Sequence, residues 1–150
     1  MINRFERFSV AVSELSKCLH KIAAGELEKH DLKGSYAIYF TTLYRFKEGI
    51  TSVELSELCG RDKADVSRAV SVLEKKGLMM KLEEGSRIYR AKLLLTQEGR
   101  SLAEHIIDRA ERAVELGGKG LSDEHREVFY CAMDTIIENL QRISQEGLPE

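Results

Sequence analysis

The sequence contains almost no proline, and the single one, Pro149, is the second-last of 150 residues. Proline breaks helices because it lacks the N–H donor and clashes with the preceding turn, so its absence from the interior favours long helices. No apolar run approaches the roughly 20 residues that span a bilayer, and the opening MINRFERF does not have the pattern of a signal peptide. A mostly helical chain in the cytoplasm is therefore expected.

Cysteine is also scarce. Cys18, Cys59 and Cys131 are an odd number of cysteines with no CxxC spacing, which argues against a disulfide framework and against a cysteine-built zinc site. Each has apolar neighbours in the sequence, so we expect three small buried side chains.

The sequence lacks the common motifs of enzymes. It has no phosphate loop, no HExxH, no GxSxG and no dinucleotide-binding glycine string. Its four histidines are scattered. Glu104, His105 and Asp108 could bring a metal-ligating pair to one helix face, but charged residues at this spacing are common on exposed helices. We therefore expect no enzyme, no metal and no cofactor.

Hydrophobic residues make up 43% of the chain and charged residues 32%, which is typical of a globular protein of one domain, or of a small domain with extended helices. The net charge of −2 argues by itself against nucleic acid. However, residues 61–100 contain ten Lys and Arg against six Asp and Glu. A basic middle between acidic flanks is an electrostatic footprint typical of nucleic-acid binding.

The segment DKADVSRAVSVLEKKG, residues 62–77, predicts an amphipathic helix within this basic region. Its apolar residues recur at i, i+3, i+4 and i+7 and must face a core. The opposite face is flat and polar, as required of a helix that enters the DNA major groove, which is about 12 Å wide. An ordinary surface helix has the same periodicity, so the neighbouring segments decide between the two. The apolar stripe is Val66, Ala69, Val70 and Leu73, and the polar face is Ala64, Ser67, Arg68, Ser71 and Lys75.

A shorter helix is predicted directly before this one. Thr51 and Glu54 have the spacing of a capping box, and Gly60 supplies the left-handed residue that ends the helix. Asp62 then caps the following helix, where Asp65 favours the positive end of the helix dipole. Two helices joined by a glycine-containing turn of about three residues form a helix-turn-helix.

After Gly77 the pattern changes to that of a β-hairpin. Residues 78–83 and 87–95 predict two strands around the turn Glu84-Gly85-Ser86. In the second strand Ala91, Leu93 and Leu95 share one face, whereas Arg90 and Lys92 point to the other. The hairpin is therefore predicted to be a basic wing that directly follows the candidate recognition helix.

Long helices flank this region. Residues 35–46 are apolar nearly all round and predict a central packed helix, whereas the first segment (about 3–29), a fifth helix from Thr96 to about Leu116 and a last helix that begins after Ser122 are amphipathic. A terminal helix cannot bury its stripe against itself. We therefore expect these helices to need a partner. The stripe of the first helix is Phe5, Phe8, Val12, Leu15, Leu19 and Ile22.

This order of elements resembles the MarR family of bacterial and archaeal transcription regulators. The likeness rests on TSVELSELCGRDKADVSRAVSVLEKKGLM, the hairpin and LLLTQEG. It departs from the family at the wing, where many members have Asp-x-Arg and this chain has Arg87, Ile88 and Tyr89. The resemblance implies a mainly α fold with a small β-hairpin wing: a winged helix-turn-helix at residues 33–97 and dimerisation helices at 1–31 and 98–146 of a single chain, 1–150.

The resemblance further implies a homodimer, with each subunit presenting one winged helix-turn-helix to half of a palindromic DNA operator. Repression is the commoner outcome in the family, and small aromatic or phenolic effectors are known to release its members. Here the residues that could line an effector pocket are Tyr36, Tyr39, Phe40, Leu43 and Tyr44, although core packing explains each of them as well.

From the residues themselves we expect two kinds of DNA contact. Side chains of the recognition helix would approach base edges, with Arg68 the candidate for a bidentate guanine contact. The other cations would mainly contact phosphate, and whether Arg87 or Arg90 acts as the wing arginine is left open. The base-edge set is Ala64, Ser67, Arg68 and Ser71, and the phosphate set is Lys63, Lys75, Arg87, Arg90 and Lys92.

Two other readings fit parts of the sequence. A winged-helix module that docks proteins without binding DNA would suit the overall acidic charge. A thiol-based redox sensor could use Cys18, which has Lys17 and Lys21 nearby in the first helix. Salt-dependent binding to duplex DNA separates the docking module from a regulator.

Overall fold

The computed structural model describes residues 3–82 and 91–148, apart from the side chain of Phe5. The predicted turn at residues 84–86 and the predicted wing arginines Arg87 and Arg90 lie outside this part of the chain. The predicted order of four helices, a hairpin and two helices is confirmed within it. The elements are α1 (Arg4–Glu28), a 3₁₀ turn (Gly34–Tyr36), α2 (Ala37–Arg45), β1 (Ile50–Thr51), α3 (Ser52–Cys59), α4 (Lys63–Lys75), β2 (Met79–Leu82), β3 (Lys92–Leu95), α5 (Gln97–Gly117) and α6 (Asp123–Glu146).

The strands form one antiparallel sheet in the order β1-β3-β2. Met79 pairs with Leu95 and Leu82 with Lys92, as expected of the two predicted hairpin strands. Strand β1 was not predicted. It adds Ile50 and Thr51 to the free edge of β3, and two residues are too few to show the alternation that marks a strand in a sequence.

The helix-turn-helix of α3 and α4 is built as its sequence predicts. The Thr51 hydroxyl accepts from the Glu54 N–H at 3.2 Å, and Glu54 accepts from the Thr51 N–H at 2.7 Å, which completes the capping box. The Glu54 carboxylate also accepts from the Thr51 hydroxyl at 2.9 Å, and the bonds that it accepts from the Thr51 N–H and hydroxyl lower its pKa. Gly60 ends α3 in the left-handed conformation, with φ of 59°. Asp62 caps α4 by accepting from the Asp65 N–H at 2.7 Å.

One contiguous core holds α4 against the elements around it. It contains the predicted stripe of α4 together with side chains of α2, α3, the sheet and the first half of α5. Phe40, Leu43, Leu55 and Leu93 are completely buried in it. Because these side chains come from three different elements, α2, α3 and β3, the core fixes α4 relative to the sheet and leaves its opposite face to solvent.

The start of α5 is attached to the end of α4. The hydroxyl of Thr96 donates to the carbonyl of Gly77 at 2.6 Å and accepts from the N–H of Gly99 at 3.1 Å. Gly99 itself packs on the backbone of Leu78. The segment LTQEG is thus a structural joint between the helix-turn-helix and α5.

The chain separates into two compact units, Met1–Ala113 and Val114–Glu150. In the second unit, Ser122 caps α6 through the His125 N–H, and Arg126 donates to the carbonyl of Gly118 at 3.0 Å. No residue of α6 is buried in the single chain. The division at residues 33–97, predicted from the family resemblance, stays a prediction.

The three cysteines do not share one environment. Cys59 is buried as predicted, but Cys18 and Cys131 are exposed, so the prediction is wrong for these two in the single chain. Their apolar sequence neighbours lie on α1 and α6, where large hydrophobic side chains are themselves exposed. Burial of Cys59 raises the pKa of its thiol. Across residues 3–82 and 91–148, no helix is both long enough and apolar enough to cross a bilayer.

Candidate nucleic-acid interface

Helix α4 divides its residues between the core and solvent. Val66, Ala69, Val70 and Leu73 are buried. Within Lys63–Lys75, which the structure describes in full, Val72 is the one large apolar residue that is exposed. All six residues proposed for DNA contact on this helix are exposed, and they form what we term the α4 face: Lys63, Ala64, Ser67, Arg68, Ser71 and Lys75.

Arg68 does not extend freely from the α4 face. Its Nη2 donates to Oδ1 of Asp65, one turn earlier, at 2.7 Å. This ion pair raises the pKa of the Arg68 guanidinium, so the side chain remains fully cationic. The pair stays accessible, because the side chains of Arg68 and Asp65 are 68% and 45% exposed. A cation is thereby held in a defined place on the surface.

A groove of about 470 Å³ runs along one side of the α4 face. Hydroxyl groups and lysines line it, and Lys81 of β2 pairs with Glu74 of α4 at 3.1 Å. Sequence reasoning missed Ser52 and Lys81 as parts of this surface. The signal for Lys81 was its place in a predicted strand next to the helix. The lining residues are Ser52, Val53, Lys63, Ser67, Val70, Ser71, Glu74, Lys81, Ala91 and Leu93.

A smaller cleft of about 80 Å³ lies at the N-terminal end of α4. Lys33, Ser35 and Arg61 line it beside Arg68, and none of these three was predicted as a site residue. Lys33 and Ser35 come from the segment before α2, about 30 residues from the recognition helix in sequence. Their proximity to α4 depends on the packing of α2, which no local pattern encodes.

The wing is described only at its base. Lys92 is half-buried in β3, opposite Leu82 of β2 and Thr51 of β1. Leu93 and Leu95 face the core, as the alternation predicted. The base of the wing therefore borders the groove beside α4.

The predicted effector-pocket residues, which lie in the 3₁₀ turn and α2, occupy several environments. Phe40 and Leu43 are completely buried in the core, whereas Tyr36 and Tyr39 border the small cleft, and burial raises the pKa of Tyr39. Tyr44 is half-buried: its hydroxyl donates to Glu104 at 3.1 Å, and this hydrogen bond raises its pKa. The guanidinium of Arg100 lies 4.7 Å from the Tyr44 ring centre. Their role as a pocket stays a prediction.

A buried carboxylate joins α1 to α5. Glu26 accepts from Lys29 at 2.9 Å and 3.0 Å, pairs with His105 Nε2 at 2.9 Å, and accepts from Arg109 Nε at 3.3 Å. The hydrogen bonds from Lys29 and His105 lower the pKa of Glu26 to about 2, against the opposing effect of burial. His105 is thus bonded to Glu26 rather than paired with Glu104, which binds Tyr44. Among the described residues, no cluster of three or more potential metal ligands is found.

The fold and the exposed α4 face define the class: a winged helix-turn-helix chain with long helices before and after it. Solved structures of this class share the fold. A MarR transcriptional regulator from Methanosarcina mazei Go1 matches with a TM-score of 0.81 and 20% identity, over 95% of this chain and 94% of that one.

Two further relatives are similar to this chain. A Listeria monocytogenes protein assigned to the MarR family, solved in complex with 26mer DNA, matches with a TM-score of 0.74 and 22% identity over 100% of this chain and 99% of that one. In sequence, the chain is similar to the uncharacterized HTH-type transcriptional regulator YybA of Bacillus subtilis (strain 168), with 23% identity over 131 residues, 87% of each chain. None of the protein-family models matches. The predicted resemblance to the MarR family is confirmed at the level of the fold.

Proposed function

We propose that this chain is a sequence-specific DNA-binding transcription regulator of the MarR family in the cytoplasm. The observation that supports this most strongly is the α4 face, where small polar residues and cations are exposed along one side of the helix. Such a helix fits the major groove, where Arg68 can read guanine through two parallel hydrogen bonds. The DNA complex of the Listeria relative supports the same use of the fold.

Cations on both sides of the α4 face contact the phosphate backbone. Lys63 and Lys81 line the groove, and Lys33 and Arg61 line the small cleft. Phosphate contacts fix the register and orientation of a protein on the duplex without reading its sequence. The wing residues Arg87, Arg90 and Lys92 add further phosphate contacts.

The regulator acts as a homodimer on a palindromic operator. Support comes from α1 and α6, whose apolar residues remain exposed in the single chain. Leu15 of α1 is 55% exposed and Leu140 of α6 is 51% exposed, and an exposed apolar stripe on each helix marks an interface with a partner. Binding represses transcription. A small aromatic or phenolic effector, bound near Tyr36 and the α2 residues up to Tyr44, releases the dimer from the operator.

Selection from a randomised duplex pool at two salt concentrations tests this function. A palindrome with half-sites about one helical turn apart should be enriched, and its affinity should fall as salt rises because bound cations displace counterions from DNA. Binding without an enriched sequence would contradict a sequence-specific regulator. No binding at either salt concentration would favour the protein-docking module instead.

A further inference from the structure

Helix α4 contains two carboxylates, Asp65 and Glu74. Only one of them forms an ion pair with a residue of the α4 face. Glu74 pairs with Lys81 of the neighbouring strand, whereas Asp65 pairs with Arg68 of the α4 face itself. An exposed carboxylate beside DNA repels the phosphates. Asp65 therefore lowers the affinity for DNA of every sequence. A second role in the interface would explain why it lies there.

The backbone of Asp65 is held in place, and this limits the positions that its carboxylate can occupy. Its N–H donates to the capping carboxylate of Asp62 at 2.7 Å, and it lies in the first turn of α4. Residues three apart on a helix lie on the same side, which places the Asp65 carboxylate within hydrogen-bonding reach of the Arg68 guanidinium. An arginine on a helix surface otherwise samples many rotamers, and the ion pair restricts it to a few.

The geometry of the pair leaves the reading edge of Arg68 available. The Asp65 Oδ1–Arg68 Nη2 bond of 2.7 Å engages one of the two hydrogens on Nη2. Whichever of these two hydrogens it engages, one edge of the guanidinium, either Nη1 with Nη2 or Nε with Nη2, keeps two N–H groups for the pair of bonds that guanine accepts at O6 and N7. One side of the guanidinium is thus held by the protein and the other remains open to a base.

We propose that Asp65 is a positioning residue that sets the base specificity of the regulator by holding the Arg68 guanidinium in its reading orientation. This inference rests on the proposed function. A purely stabilising role for the pair is a poor explanation, because exposed ion pairs of this kind contribute little to the stability of a protein. The carboxylate lowers affinity for DNA in general and raises the preference for guanine at one position of each half-site.

The test compares the affinity of four proteins for the selected operator and for operators with single base-pair changes. The proteins are wild type and the variants Asp65→Asn, Arg68→Ala and the double variant. Wild type should discriminate against a changed guanine by roughly tenfold or more. Asp65→Asn should reduce this ratio by about threefold or more at that position only, and should bind a scrambled duplex more tightly because a negative charge is lost.

Two comparisons separate positioning from a charge effect. In the Arg68→Ala background, Asp65→Asn should no longer change the discrimination ratio, because the two residues act as one unit. Glu74→Gln removes the same charge from the same helix, and it should alter affinity for all duplexes without altering the ratio. Thermal unfolding of each variant should stay near that of wild type, since all of the substituted side chains are at least partly exposed.

The outcomes distinguish a failure of the proposed Asp65 role from a failure of the proposed DNA-binding function. If wild type selects no sequence, the proposed function itself fails. If wild type selects an operator and Arg68→Ala loses discrimination while Asp65→Asn keeps it in full, the positioning role of Asp65 is overturned and the function stands. An equal loss of discrimination in Glu74→Gln would also overturn it, because the effect would then be one of net charge.

Discussion

Gly99 shows how one residue of the chain depends on a neighbour far away in sequence. It lies in the first turn of α5, and a Cβ placed there would overlap the carbonyl oxygen of Leu78. The adjacent Thr96 hydroxyl connects the carbonyl of Gly77 to the N–H of Gly99. The glycine is therefore required by a backbone contact rather than by an unusual backbone angle.

Replacing Gly99 by alanine should destabilise the protein by about 1–3 kcal/mol, the usual range for overpacking a closely packed site. The change is expected in the urea midpoint of unfolding. Gly25→Ala is the matched control, since Gly25 is also helical but nothing lies within 4 Å of its Cβ position. That substitution should stabilise by about 0.5–1 kcal/mol, because alanine favours the helix. Equal stability of the two variants would contradict the contact with Leu78.

Residue-scale features differed in how far the sequence could predict them. The exposed set on α4 follows directly from helical spacing, and Asp65 and Arg68 have the i, i+3 spacing of an ion pair, a signal that was available. The close contact at Gly99 could not be predicted from the sequence. Leu78 lies 21 residues earlier and contacts Gly99 only once the start of α5 has packed against the end of α4.

At the scale of elements, the helices were predictable because each has its own local signals. The capping box of α3, Gly60 and the cap of α4 are all within a few residues of the ends that they define. Strand β1 was not predictable, because Ile50 and Thr51 become a strand only by pairing with β3. Contacts between elements were likewise hidden, and the Glu26 cluster is the clearest case.

The contact between α1 and α5 should be sensitive to acid, because it contains the Glu26 cluster, which is formed by Glu26, Lys29, His105 and Arg109. The pKa of the Glu26 carboxyl is about 2, below the ordinary value of 4.5. The ionised carboxylate therefore stabilises the folded state above pH 4.5. This contribution is lost as the pH falls from 4.5 towards 2. Glu26→Gln should therefore lower the urea midpoint at pH 6, and its deficit relative to wild type should shrink at pH 4 and shrink further at pH 3.

Glu14→Gln is the control for this pH dependence. Glu14 lies on the same helix and also pairs with a lysine, Lys17, at 2.9 Å, but its side chain is 61% exposed. The variant should resemble wild type at every pH, because exposed pairs contribute little. A deficit of Glu26→Gln that stayed constant from pH 6 to pH 3 would contradict the assigned role of the Glu26 charge.

At the scale of the whole molecule, the single chain exposes more large apolar side chains than is usual for a stable monomeric protein. Phe129, Met133, Ile136 and Leu140 follow one another at helical spacing on α6, and each is exposed. The sequence predicted such stripes and a partner to cover them. It could not predict which faces stay open, since that depends on what the rest of the chain buries.

Introducing charge into this stripe should disrupt the proposed homodimer. The double variant Ile136→Glu and Leu140→Glu is expected to sediment as a monomer at concentrations where wild type is a dimer, because burial of two carboxylates in an apolar interface is unfavourable. Glu138→Gln, a change at an exposed polar position of the same helix, should leave the dimer intact. A double variant that still sedimented as a dimer would exclude this face from the interface.

The central claim is that the α4 face reads base sequence, and the ratio of affinities for the selected operator and a scrambled duplex tests it most directly. Arg68→Ala should reduce this ratio by roughly tenfold or more, since a good arginine–guanine pair provides discrimination of at least that size. Lys75→Ala, which removes a phosphate contact, should weaken binding to both duplexes alike. An unchanged ratio in Arg68→Ala would contradict the account, because specificity would then be read elsewhere.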